Sequence, residues 1–200
     1  MDYRKELDEL LRVEDPLRRK ARFMGILSRE VLRESGKTPV IVGGFAVEVF
    51  TVGRYTSLDV DVKGPKESIT RILGEMGFRH DGTHFVHEGL DIFIQWLGEG
   101  PSPLSESLER LVNVPVDHAA GLFIRLIGFE DLIIDRLNQA KHWKVADAGM
   151  WAARILEAAL TGEDVSLDFD YLRQRAEAED VMDVLDDLLS DVNIIPEPGA

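Results

Sequence analysis

The stretch that most restricts the fold is Val40-Ile41-Val42-Gly43-Gly44, an apolar triplet that runs unbroken into two adjacent glycines. With Pro39 ahead of it, the triplet reads as a short buried strand that ends at the glycines. Phe45 to Phe50 then fits a helix starting directly after them, and Gly53 stops it. Next, Leu58-Asp59-Val60-Asp61-Val62 alternates as a second strand. Side chains two apart share a face, so Leu58, Val60 and Val62 are expected in the core while Asp59 and Asp61 project together. Leu90 to Leu97 is a further strand, with Asp91 at the head of an otherwise apolar run.

The rest of the chain surrounds this unit. Residues 3–13 and 16–35 read as helices, Pro16 suiting a first turn after Asp15 and Ser35-Gly36-Lys37 ending the second. Pro65 to Met76 is helical, and Phe78–His80 with Thr83–His87 forms a hairpin turning at Asp81-Gly82. Gly98 to Pro103 is a loop, residues 104–118 hold a short helix and a strand through Val112 to Val116, and Leu122 to Leu126 is a strand. From Phe129 the chain is helical over 129–141, 145–160, 168–178 and 180–191. Val181, Leu185, Leu188 and Val192 form an apolar stripe there, ahead of a frayed tail at Pro196-Glu197-Pro198-Gly199. The fold class is α/β (α+β): N-terminal helices over 1–35 packing on a core over 36–127, then a helical part over 128–195.

Charge and composition exclude several functions. The net charge is −14, but residues 161–200 carry 12 acids and 2 bases, so the acidity is concentrated in the C-terminal helices. That balance opposes a broad, sequence-independent grip on nucleic acid and suits a protein partner. The cluster Arg18, Arg19, Lys20 and Arg22 reads as a solvated helix face. Absence of cysteine removes disulfides and thiolate metal sites. The charged start, Met1-Asp2-Tyr3-Arg4-Lys5-Glu6, has no apolar signal core, and the apolar run at Leu122-Phe123-Ile124 is broken by Arg125. A cytoplasmic protein without a membrane partner is expected.

Two carboxylates on one strand face repel unless a cation or proton lies between them. Oxygen-only ligands suit magnesium, and Asp91 on a neighbouring strand would complete a three-carboxylate site able to hold two ions. Gly43-Gly44 offers close backbone approach to a phosphate beside a helix N-terminus. A place for triphosphate beside a place for metal is what nucleotidyl transfer requires. Each piece alone has a plainer reading: a solvated edge for Asp-x-Asp, a turn for Gly-Gly, a strand-capping polar residue for Asp91. All three occur once, in order, within one α/β unit. Lys141-His142-Trp143-Lys144 reads equally as a triphosphate contact or as a basic helix end. His80, His84 and His87 read as surface histidines rather than a zinc site. Trp96, Trp143 and Trp151 read as core or core-rim residues. No Ser-His-Asp set, P-loop or dinucleotide fingerprint is present.

Gly43-Gly44-Phe45-Ala46 and Ser57-Leu58-Asp59-Val60-Asp61, with Asp91 later, resemble the polymerase-beta-like nucleotidyltransferase superfamily. The nearest likeness is to small bacterial AbiEii-like proteins, with their Gly-Gly-x-Ala opening and Arg-x-Ser/Thr-x-Asp-x-Asp signature. The likeness spans residues 40–94 and continues through Glu130-Asp131-Leu132-Ile133 to Arg136-Leu137, Lys141 and Asp147. It implies a mixed sheet with flanking helices, magnesium (two ions during turnover) held by Asp59, Asp61 and Asp91, and a nucleoside triphosphate such as ATP as substrate. Gly43, Gly44, Arg54, Ser57, Lys141 and Lys144 would then contact the nucleotide. The acceptor would be an RNA, protein or small-molecule hydroxyl, and many such proteins belong to toxin–antitoxin systems. Arg54 lies one residue farther from the aspartates than in the signature, Ser57 takes the hydroxyl position, and Arg136 stands where lysine is usual. The alternative is a non-catalytic nucleotide- or partner-binding protein on the same scaffold.

Overall fold

The computed structural model describes residues 3–100, 107–162 and 167–191. They fall into two compact units, Met1–Ile127 and Gly128–Ala200. The loop and helix start expected at 101–106, Val192 of the expected stripe and the tail at 196–199 lie outside the described residues.

In the first unit, α1 (Arg4–Leu10) and α2 (Pro16–Ser35) precede β1 (Val40–Val42), which passes directly into α3 (Gly43–Phe50). Then come β2 (Val60–Lys63), α4 (Lys66–Glu75), β3 (Arg79–His80), β4 (His84–His87) and β5 (Ile92–Gly98). A 3-10 turn at Leu108–Arg110, β6 (Val112–Asp117) and β7 (Leu122–Leu126) complete it. The seven strands make one mixed sheet, ordered β3-β4-β5-β2-β1-β7-β6. Strand β1 is antiparallel to β2 and parallel to β7, and the central strand β2 is parallel to β5. The α/β class and the mixed sheet with flanking helices are therefore as expected.

Local chemistry explains the helix that covers the sheet. Asp15 accepts the Arg18 backbone N–H, Pro16 occupies the first turn of α2, and Gly36 closes it in a left-handed conformation with φ 71°. Phe23, Met24, Leu27 and Val31 recur at helical spacing and are fully buried, α2 packing on β6, β7 and α4. Each such side chain contributes about 1.5–3 kcal/mol on burial. Gly25 lets the helix approach closely, since a Cβ there would lie 2.7 Å from Val116 Cγ2 and 3.1 Å from Leu122 Cβ.

The second unit holds α5 (Phe129–Lys141), α6 (Ala148–Thr161), α7 (Phe169–Ala178) and α8 (Met182–Asp191), with α5 packed on the other three. Val181, Leu185 and Leu188 are buried as the stripe requires. Asp131, also buried, accepts the Tyr171 hydroxyl at 2.7 Å, and Glu130 accepts the Asp168 N–H at 2.9 Å. No helix among the described residues is long and apolar enough to cross a membrane.

Candidate functional site

The site begins where β1 becomes α3. Gly43 takes φ 65°, a left-handed conformation that favours glycine. A Cβ on Gly43 would overlap Oδ2 of Asp61, with Cγ of Asp61 3.1 Å away. The Asp61 carboxylate therefore lies against the N-terminal end of α3, where the first-turn N–H groups and the helix dipole make a positive potential. Gly44 is equally close to the next segment: a Cβ there would lie 2.6 Å from Ser57 Oγ and 3.3 Å from Tyr55 Cε1. Both glycines are required by side chains of this chain that press on them.

Asp61 sits on β2 opposite Val42 of β1. On its other side the register places it level with Gln95 of β5, which in turn pairs with His84 of β4. Asp61, Gln95 and His84 thus form one row across three strands. Val60, Val62, Ile92 and Ile94 are buried on the opposite face. Asp59 immediately precedes β2 and is half-buried, its Oδ2 3.3 Å from His84 Nε2. Leu58, expected in the core with Val60 and Val62, is 88% exposed. The reason is that β2 begins at Val60, so strand alternation does not extend back to residue 58.

Asp91 lies in the turn before β5, exposed, with φ 54° and its N–H donated to the Glu88 carbonyl. The β2–β5 register begins at Val60 and Ile94, so neither Asp59 nor Asp91 lies within the paired strands. A cleft of about 600 Å³ nevertheless has Asp59 and Asp91 in its wall, with Lys20, Ser57, His84 and Phe93. The structure brings Asp59 and Asp91 to one cleft and sets Asp61 against Gly43. Among the described residues, no three His, Asp or Glu side chains come together as a ready-made metal group.

The segment leading to Asp59 is held from beneath. Lys20 Nζ donates to Glu48 Oε2 at 2.6 Å and to the Ser57 carbonyl at 2.9 Å, and Glu48 Oε2 accepts the Ser57 N–H at 3.0 Å. Lys20 and Glu48 are 6% and 3% exposed, and the ammonium stands 4.9 Å from the Phe45 ring centroid. The basic cluster is solvated only in part: Arg18 is exposed, whereas Lys20 is buried and Arg22 pairs with Glu9 at 3.1 Å and Asp117 at 3.2 Å.

Arg54, Lys141 and Lys144 each have local surroundings of their own. Arg54 is exposed on the turn after α3, its N–H donated to the Thr51 carbonyl. In the helical unit, the Lys141 ammonium donates to the Asp180 carbonyl and to Asp183, the latter at 2.9 Å. The Asp183 hydrogen bond raises the Lys141 pKa above the ordinary lysine value. Lys144 is exposed with φ 57°, and Trp143 is 67% exposed rather than in the core or at its rim. His87 accepts the Leu90 N–H and packs edge-on against Phe78, while His80 lies 4.6 Å from the Phe85 ring. His84 and His87 are three apart on one strand and so face opposite sides.

No protein-family model matches the chain, and no curated protein matches it in sequence. Its fold is similar to the crystal structure of an antigenic nucleotidyltransferase-like protein from Paracoccidioides brasiliensis, with a TM-score of 0.56. The two share 15% sequence identity over 89% of each chain, a likeness of fold.

Proposed function

We propose that this chain is a magnesium-dependent nucleotidyltransferase that moves a nucleoside monophosphate from a triphosphate to an RNA, protein or small-molecule hydroxyl. One observation carries the reading: Asp59 and Asp61 stand at the head of β2 with the Asp61 carboxylate pressed on the first glycine of α3. The donors fit a hard cation, since both ligating groups are carboxylates, Asp59 is half-buried beside a cleft, and a Cβ at Gly43 would fill the Asp61 position. Asp59 and Asp61 would hold magnesium, with Asp91, which lines the same cleft as Asp59, as the third carboxylate. The ion, when bound, supplies charge neutralisation at the reacting phosphate.

The chain's own groups do the rest. The N–H groups opening α3 bind phosphate, and Ser57, pressed on Gly44, lines that end. Phe93 gives the cleft an apolar wall. Arg54, Lys141 and Lys144 remain proposed phosphate contacts. The acidic C-terminal helices suit a protein partner, in keeping with an AbiEii-like, toxin–antitoxin role. Because the three carboxylates are not gathered into one group, the second reading is a non-catalytic nucleotide- or partner-binding protein on the same scaffold.

The test is incubation with each radiolabelled triphosphate, magnesium, and total cell RNA or protein. Label transfer is expected from the wild type and abolished by Asp59→Asn or Asp61→Asn, both variants keeping the wild-type circular dichroism. Transfer that survives both substitutions, or no transfer to any acceptor pool, favours the binding protein.

A further inference from the structure

Lys20 and Glu48 are an ion pair with almost no exposed surface, formed between α2 and α3. Burying two charges is costly, and an apolar pair of similar size would join the two helices at least as well. What an apolar pair lacks is the ability to hold a third segment. Here Glu48 takes the N–H of Ser57 and Lys20 takes its carbonyl, so both backbone polar groups of one residue end on the pair. Ser57 is itself 7% exposed, with its side chain packed against Gly44. Two residues later the chain reaches Asp59, and Leu58 between them is splayed into solvent. No regular structure fixes the residues from Thr51 to Asp59, since α3 has ended and β2 has not begun.

We infer that Lys20 and Glu48 form a latch that fixes the Ser57 backbone and thereby sets Asp59 against the cleft. Both are positioning residues, acting on the proposed ligand through Ser57. The inference rests on the proposed role of Asp59 and adds to it the device that presets the first carboxylate. It also explains why two buried charges occur where the sheet and its helices need only apolar contacts.

Single substitutions would leave one buried charge unpaired and risk unfolding, so two double variants are compared with wild type. Lys20→Met with Glu48→Met removes both charges and both partners of Ser57. Lys20→Met with Glu48→Gln also removes both charges but keeps an acceptor for the Ser57 N–H. Amide hydrogen exchange, read residue by residue, is expected to speed up roughly tenfold at Ser57 in the Met–Met variant alone, the scale of one lost hydrogen bond. Amides of α2, α3 and the sheet should keep their wild-type protection. Affinity for manganese ion alone, measured by titration calorimetry, should fall at least roughly tenfold in the Met–Met variant, as for lost outer-shell support, and much less in the Met–Gln variant. Equal exchange at Ser57 in all three proteins, or a rise spread evenly over α2 and α3, overturns the latch. If wild type binds no manganese, the reading of Asp59 and Asp61 falls, while the exchange pattern still decides whether Lys20 and Glu48 hold Ser57.

Discussion

Gly43→Ala is expected to destabilise the first unit by two separable costs. Gly43 has φ 65°, and an L-residue held there costs about 1–2 kcal/mol of left-handed strain. The new methyl group would also overlap Oδ2 of Asp61, with Cγ 3.1 Å and Cβ 3.3 Å away, so the carboxylate must leave its place. Crowding of that kind costs about 1–3 kcal/mol. The sum is about 2–5 kcal/mol, and at this chain length each kcal/mol lowers Tm by roughly 2–4 °C. The first cost is independent of Asp61, and most of the second goes with its carboxylate, Cβ at 3.3 Å remaining in Asp61→Ala. In an Asp61→Ala background, Gly43→Ala should therefore cost only about 1–2 kcal/mol, giving a coupling of about 1–3 kcal/mol in the double-mutant cycle. Urea unfolding followed by circular dichroism in EDTA buffer measures all four proteins. Gly44→Ala is the internal comparison, because its Cβ would meet the rotatable Ser57 hydroxyl at 2.6 Å without positive-φ strain. A Gly43→Ala cost below about 1 kcal/mol, or the same cost with and without the Asp61 carboxylate, refutes the packing of Asp61 on α3.

A triphosphate with magnesium should raise the melting temperature by several degrees, since ligand at a hundredfold excess over Kd stabilises by about 2.7 kcal/mol. Gly44→Val should remove the shift, and no shift with millimolar ATP, GTP, CTP or UTP would count against a phosphate site at α3. Acid stability offers a test of the hairpin turn, where the His84 and Thr83 backbone N–H groups, in that order of weight, hold the Asp81 carboxyl below the ordinary carboxylate range. A depressed folded-state pKa gives stability that is present above the unfolded value and lost as pH falls through the folded one. Asp81→Ala should accordingly show a shallower loss of stability below about pH 4 than wild type, and parallel acid titrations of the melts would contradict it.

Most of the architecture was legible because local signals agreed with tertiary ones. Asp15-Pro16 and Gly36 bracket α2 by capping chemistry alone, and the Asp81-Gly82 turn fixes the β3–β4 hairpin. The boundaries that moved are those set by distant contacts. β2 starts at Val60 rather than Leu58 because the preceding backbone is bonded to Lys20 and Glu48 instead of to a neighbouring strand. Helix α6 starts at Ala148 rather than residue 145, because Lys144 is left-handed and the Val145 N–H turns back to the Gln139 carbonyl. Periodicity carries no information about such back-bonding.

The same limit separates what the sequence told of the site from what it did not. Alternation leads one to expect Asp59 beside Asp61, and Asp91 beside Phe93 and Gln95, but it holds only inside the strands, which begin at Val60 and Ile92. It does not say which strands are neighbours or how they are offset. Only the parallel pairing of β2 with β5 puts Gln95, rather than Asp91, level with Asp61, and only the β4–β5 hairpin carries His84 to the same row. A histidine that looks like ordinary surface chemistry on an isolated strand then stands 3.3 Å from Asp59. Lys20 had no local signal at all. It is one of four basic residues within five positions, and it differs from Arg18, Arg19 and Arg22 in having α3 and Ser57 closed over it. Its partner offered the better clue: Glu48 is an acid on the short, apolar helix that follows the glycines, a place where a charge must find a buried partner or turn to solvent. Among the basic residues of α2 that partner is Lys20, which ties the helix after the glycine turn to the segment that carries Asp59.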